Sequence, residues 1–175
     1  MHNKKSQLYS QIFIYILAIL VTSFIVVFGY KAIKDFKDRA EQVACLKFKN
    51  DLQISIERMS SEYGSVERKD IQLCSDYRAV CFVETVKDLN TFSPDFKYVN
   101  YIPTPATDDP IIVDSISSVT GKNVFLIENL AKESFYAGKI SVEGDVLCIK
   151  AVNNKIRLKL TGKGNYVELS GWPQI

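Results

Sequence analysis

Residues 12–28 read IFIYILAILVTSFIVVF, and they sit inside a longer stretch, 6–30, that carries no charged side chain. A helix rises 1.5 Å per residue, so about 20 such residues cross the roughly 30 Å hydrocarbon core of a bilayer. The run is long enough to do so. A cleaved secretory signal is a shorter apolar block closed by small residues around a cut site, whereas this one passes directly into Gly29, Tyr30 and Lys31. The core helix of a water-soluble domain shows a polar stripe, and here only Tyr15, Thr22 and Ser23 interrupt the apolar surface. The segment therefore reads as a retained membrane helix.

Outward from it, Ile33, Phe36, Ala40, Val43, Ala44, Phe48, Leu52, Ile56, Met59 and Tyr63 recur at intervals of three or four between charged residues, the pattern of an amphipathic helix. No glycine or proline interrupts 31–63. At 100° per residue the stripe drifts, so its first half presents a different face from its second. One helix of about 50 residues is expected, with Gly64 at its C-terminal end and Gly29 as its one permissive point.

The rest reads as strands: 71–74 and 79–84 joined as a hairpin through 75–78, then 111–113, 124–127 and 135–142, with a loop-rich stretch over 87–110 punctuated by prolines. The C-terminal part is clearest. Segments 146–152, 155–161 and 166–170 are separated by Asn153-Asn154 and by a Gly-Lys-Gly-Asn turn, and Ile156, Leu158 and Leu160 alternate with Lys155, Arg157 and Lys159. A three-stranded meander needs cover for its apolar face, and the second half of the helix supplies it. The expected class is α+β: a long N-terminal helix, transmembrane and then amphipathic, packed on an antiparallel sheet.

The chain has 175 residues, 47% hydrophobic and 24% charged, which excludes wholesale disorder. Lys4 and Lys5 alone supply the formal charge of +2, so the remainder lacks the basic surplus of a nucleic-acid binder. His2 is the sole histidine, and no phosphate-binding, nucleophile-elbow or zinc-protease motif occurs. An enzyme is not expected, nor a cofactor or metal. Asp108, Asp109 and Asp114 lack calcium-loop spacing and read as a solvated loop. Tyr98, Tyr101 and Trp172 read as packing, and Lys155, Arg157 and Lys159 as a solvated face that blunts a sheet edge. No Asn-x-Ser/Thr sequon is present.

Cys45, Cys74, Cys81 and Cys148 form an even, scattered set without a Cys-x-x-Cys pair. In a small non-cytosolic domain such a set reads as two disulfides. Basic residues flank both ends of the membrane helix, but long domains translocate largely regardless of charge, and the cysteines place the head outside with the N-terminus cytoplasmic. Cys81 and Cys148 sit centrally in strand segments, and Cys45 shares a helix angle with Leu52, Ile56 and Met59. The favoured pairing is Cys45 with Cys74 and Cys81 with Cys148. Its rival, Cys74 with Cys81 and Cys45 with Cys148, stays open at this level.

A short leader, Lys4-Lys5-Ser6-Gln7, directly precedes the membrane helix, which leads into an amphipathic helix and a β-rich head. This arrangement resembles a type IV pilin or pilin-like protein, in particular the archaeal kind with a class III signal peptide. The resemblance implies cleavage between Ser6 and Gln7 by a prepilin-type peptidase, with Ser6 standing where the family usually has glycine. It also implies assembly with like subunits through the N-terminal helix, where Gln11 occupies the place of the family's common glutamate. The implied organisation is a leader over 1–6, a transmembrane helix over 7–30, a helical stalk over 31–64 and an extracytoplasmic head over 65–175. Its partners are membrane lipid, the peptidase, and further copies or other pilin-like subunits. Ser10, Ala18, Thr22, Ser23 and Gly29 allow close helix approach. The competing expectation is an uncleaved, membrane-anchored binding or sensor module.

Overall fold

A computed structural model describes residues 4–74, 77–87, 94–99, 109–118 and 120–172, with side chains from residue 12 onward. Helix α1 runs without a break over Lys4–Ser61, passing through Gly29. The chain divides into two compact units, one up to Gln42 and one from Val43 onward, so the last turns of α1 belong with the strands.

In the first unit every side chain from 12 to 28 is exposed. The two aliphatic hydroxyls in this stretch bond to their own helix, Thr22 Oγ1 donating to the Ala18 carbonyl at 2.7 Å and Ser23 Oγ to that of Ile19 at 2.8 Å. These two donors are thereby satisfied within the helix itself. By length and composition this helix is long and apolar enough to cross a membrane, with a mean hydropathy of 2.8.

The second unit holds two sheets. Strands β1 (Val66–Gln72), β8 (Lys155–Gly162), β9 (Val167–Gly171) and β6 (Ile140–Val142) form the first, in the order β1-β8-β9-β6. Strands β3 (Phe96–Val99), β7 (Val146–Lys150), β2 (Ala79–Val83), β4 (Val124–Ile127) and β5 (Ala131–Phe135) form the second, in the order β3-β7-β2-β4-β5. Pairing is antiparallel except for β6 with β9 and β3 with β7. Phe48, Leu52, Ile56 and Met59 of α1 are buried with Ile156, Leu158 and Leu160 of the first sheet and Val80, Phe82 and Leu126 of the second, in one core. The opposite face of the second sheet is covered by helix α2 (Pro110–Ser117) through Ile112 and Ile116. The architecture is α+β, a long helix packed on antiparallel-rich sheets.

Several local expectations are corrected. Segments 71–74 and 79–84 do not form a hairpin: the first continues β1 in one sheet and the second is β2 in the other, while Ser75 and Asp76 lie outside the described residues. The C-terminal meander is likewise divided. Asn153 and Asn154 do take the left-handed turn (φ 53° and 56°), but only Val152 and Lys155 bridge across it before β7 and β8 separate into different sheets. Residues 111–113 are helical, because Asp109 caps α2 and Pro110 stands in its first turn. A strand, β3, lies within the stretch read as loop. The run 135–142 is split by a turn in which Gly138 (φ 118°) lies so close to Ile56 that a Cβ would meet its Cγ2 at 2.9 Å. Strand β8 is an inner strand, so Lys155, Arg157 and Lys159 do not blunt an edge.

Along α1, Ile33, Phe36 and Val43 are exposed, and Tyr63 lies beyond the helix end, 84% exposed. Truncating Leu52 to Ala should therefore destabilise the folded chain by about 2–5 kcal/mol. Ile54→Ala, on the exposed face of the same turns, should change stability by less than about 0.5 kcal/mol. Denaturant unfolding in nonionic detergent compares the two, and equal losses would contradict the packing.

Candidate functional site

The helix that the resemblance singles out starts its helical backbone at Lys4, so Ser6, Gln7 and Gln11 fall within α1; their side chains lie outside the described residues. Beyond residue 28 the exposed surface stays partly apolar, with Ile33 72% and Phe36 76% exposed, among Lys31, Lys34, Asp35, Lys37, Asp38 and Arg39. Lys37 and Glu41 form an i,i+4 ion pair at 3.6 Å.

Four cysteines close two bridges, Cys45 with Cys74 and Cys81 with Cys148, the favoured pairing. The first ties α1 to the second residue after β1. Cys81 and Cys148 are direct cross-strand partners of β2 and β7, with Cα atoms 4.0 Å apart, on the face under α2. Bridges closing loops of this size stabilise small extracytoplasmic domains by about 3–4.5 kcal/mol in the chain-entropy view.

Two buried polar side chains, Glu84 and Asn123, were given no role in the sequence reading, and Asp109 and Asp114, read there as a solvated loop, are instead the cap and a residue of α2. Glu84 follows β2 and is buried, yet its carboxylate accepts from four donors: Ser141 Oγ and Val142 N–H at 2.9 Å on one oxygen, Val86 N–H at 2.8 Å and Lys87 N–H at 3.3 Å on the other. It joins the end of β2 in the second sheet to β6 in the first. Asn123, fully buried, accepts from Ala137 N–H at 2.9 Å and donates to the Gly138 carbonyl at 2.6 Å, fixing the turn against α1. Asp109 accepts from Ile111 N–H at 2.9 Å with one oxygen and from Ala131 N–H at 2.7 Å with the other, so its carboxylate serves α2 and β5. Asp108 and Tyr101 lie outside the described residues. Tyr98 stacks on Phe96 at 6.0 Å, and Trp172 lies under the Arg68 guanidinium at 3.5 Å from its ring centre.

Lys49 of α1 meets Glu133 of β5 at 2.9 Å and lies 5.6 Å from the centre of the Phe135 ring, which packs edge-on to Phe48. The hydrogen bond from Lys49 holds the Glu133 carboxyl below its ordinary range, against the opposing effect of burial. A cleft of about 360 Å³ opens between α1 and the β5–β6 turn, with Glu57 on the helix side and Lys139 and Asn165 on the other. Gln53 Nε2 donates to the Tyr136 carbonyl at 2.7 Å at its margin. Among the described residues no group of three histidine, cysteine or acidic side chains is placed to hold a metal. Comparison with known families, with curated proteins and with solved structures finds no match.

Two outcomes follow from these contacts. Glu84→Ala leaves four donors without their acceptor and should cost about 3 kcal/mol or more, read as a lowered unfolding midpoint; a loss under about 0.5 kcal/mol would exclude the linking role. Glu133 has a depressed pKa in the folded chain, so its contribution is present above the ordinary carboxylate range and is lost as pH falls through the folded value. The stability gap between wild type and Glu133→Gln should accordingly close on acidification. A gap that is constant with pH would refute that contribution.

Proposed function

We propose that this chain is a pilin-like surface subunit that assembles through its N-terminal hydrophobic helix and displays the β-rich head. The observation that carries this reading is the exposure of Ile33 and Phe36 on a helix that continues unbroken past the apolar run. A single-span anchor needs apolar surface only where lipid covers it. A subunit that leaves the bilayer and packs against identical helices needs apolar surface further along, which these residues supply. The self-satisfied hydroxyls of Thr22 and Ser23 suit both lipid and a neighbouring helix.

In this reading the N-terminus faces the cytoplasm, where a prepilin-type peptidase cuts between Ser6 and Gln7. Lys4 and Lys5 stay with the leader. Gln11 then lies near the new N-terminus, where its amide can hydrogen-bond a neighbouring subunit within the membrane. Both bridges of the head suit an oxidising exterior.

Mass spectrometry of the purified chain tests this directly. A mature N-terminus at Gln7 supports the subunit reading, and an intact leader on every molecule establishes the uncleaved anchor instead. Gln11→Leu should weaken self-association of the membrane segment by about 0.6–2 kcal/mol in a membrane association assay. An unchanged dimer signal would remove Gln11 from the interface.

A further inference from the structure

The outer face of the first sheet carries a cationic cluster that neither the fold nor helix assembly uses. Ile156, Leu158 and Leu160 point into the core, so Lys155, Arg157 and Lys159 project from the opposite face of β8. Their cross-strand partners on β1 are Gln72, Asp70 and Arg68 respectively. Arg68 thus stands directly opposite Lys159, a like-charge juxtaposition that disfavours the sheet. Because β8 is an inner strand, protection of a sheet edge does not account for it. Two anions share the face, and both are engaged: Asp70 lies 3.5 Å from Arg157 and Glu168 lies 2.8 Å from Lys163. Lys155, Lys159 and Arg68 have no carboxylate within ion-pairing distance among the described residues, and Trp172 holds the Arg68 guanidinium by stacking at 3.5 Å.

We infer that this face of the head binds an acidic polysaccharide. The row Lys155, Arg157, Lys159 repeats a cation about every 7 Å along a strand, with Arg68 beside its end, which fits a linear polymer bearing regularly spaced anions. Thr161 and Ser170 place hydroxyls on the same face, and Gln72 an amide, groups that pair with sugar hydroxyls. Double-stranded nucleic acid is recognised by elements that enter a groove, and single strands by free aromatic platforms; this face is a sheet surface whose Trp172 ring is covered by Arg68. A bilayer contact would draw on apolar side chains entering the interface, and β1 offers Val66 at one corner. The inference concerns the head and stands whether or not the helix assembles.

The full chain in nonionic detergent is applied to immobilised polygalacturonate, with neutral dextran, double-stranded DNA and anionic phosphatidylglycerol vesicles run in parallel. Retention on polygalacturonate at low salt, weakened about tenfold or more as salt screens the charges, and absent on dextran, is the expected result. The double variant Lys155→Gln/Lys159→Gln should lose that retention at least tenfold. Its thermal midpoint should be unchanged or higher, because a like-charge contact is relieved. A second variant, Lys150→Gln, on β7 of the other sheet, should bind as wild type. Retention that survives the double substitution, equal binding to dextran, stronger binding to DNA or vesicles, or a fall in the midpoint would each overturn the assignment.

Discussion

Everything in the head depends on the seating of one helical face, Phe48, Leu52, Ile56 and Met59, against two sheets that share no continuous ladder. Each of these side chains is at most 2% exposed. Neither sheet closes its own core: β8 and β9 turn Leu158, Leu160, Val167 and Leu169 inward, β2 and β4 turn Val80, Phe82, Val124 and Leu126 inward, and the helix fills the remaining side. Glu84 and the Cys45–Cys74 bridge reinforce the same junction, one between the sheets and the other between α1 and the end of β1. The second bridge lies on the far face of the second sheet, where α2 supplies only a small cover.

How much of this was legible in the sequence follows the range of the interactions involved. The helix was legible because its signal is local and long, 58 residues without a proline. The strict alternation of β8 was legible for the same reason, as each buried residue has an exposed neighbour. Sheet membership was not. The Asn153-Asn154 turn has hairpin chemistry and adopts the left-handed backbone, but the core draws β7 and β8 to opposite sheets after one bridge. Turn residues specify a reversal, and long-range burial decides which strands pair after it.

The misreading of 111–113 has a different cause. Three β-branched residues in a row resemble a strand, yet Asp109-Pro110 is a helix-start signal and Ile112 and Ile116 are spaced to share one helical face. The signal was present and was outweighed by propensity. Glu84 and Asn123 were illegible for a deeper reason: a buried polar side chain is recognisable only from its partners, and each of these has at least one partner 14 or more residues away in sequence. Lys155, Arg157 and Lys159 show the converse, since their placement on an outer face was legible and their place on an inner strand was not.

Exposure also separates what the two compact units require. From Val43 onward α1 spends its apolar residues on a core, and what it leaves exposed there, Val43, Leu46 and Ile54, is interspersed with Lys47, Asn50 and Gln53. In the unit up to Gln42 the exposed side chains from 12 to 28 are almost wholly apolar. Large apolar surface of that extent is incompatible with free exposure to water. By length and composition the helix is able to cross one membrane thickness, about 20 residues of helix. Ile33 and Phe36 lie among charged residues, so a surface that covered them would be apolar on one side and polar on the other. In the proposed subunit reading, a second amphipathic helix of the same sequence supplies that cover.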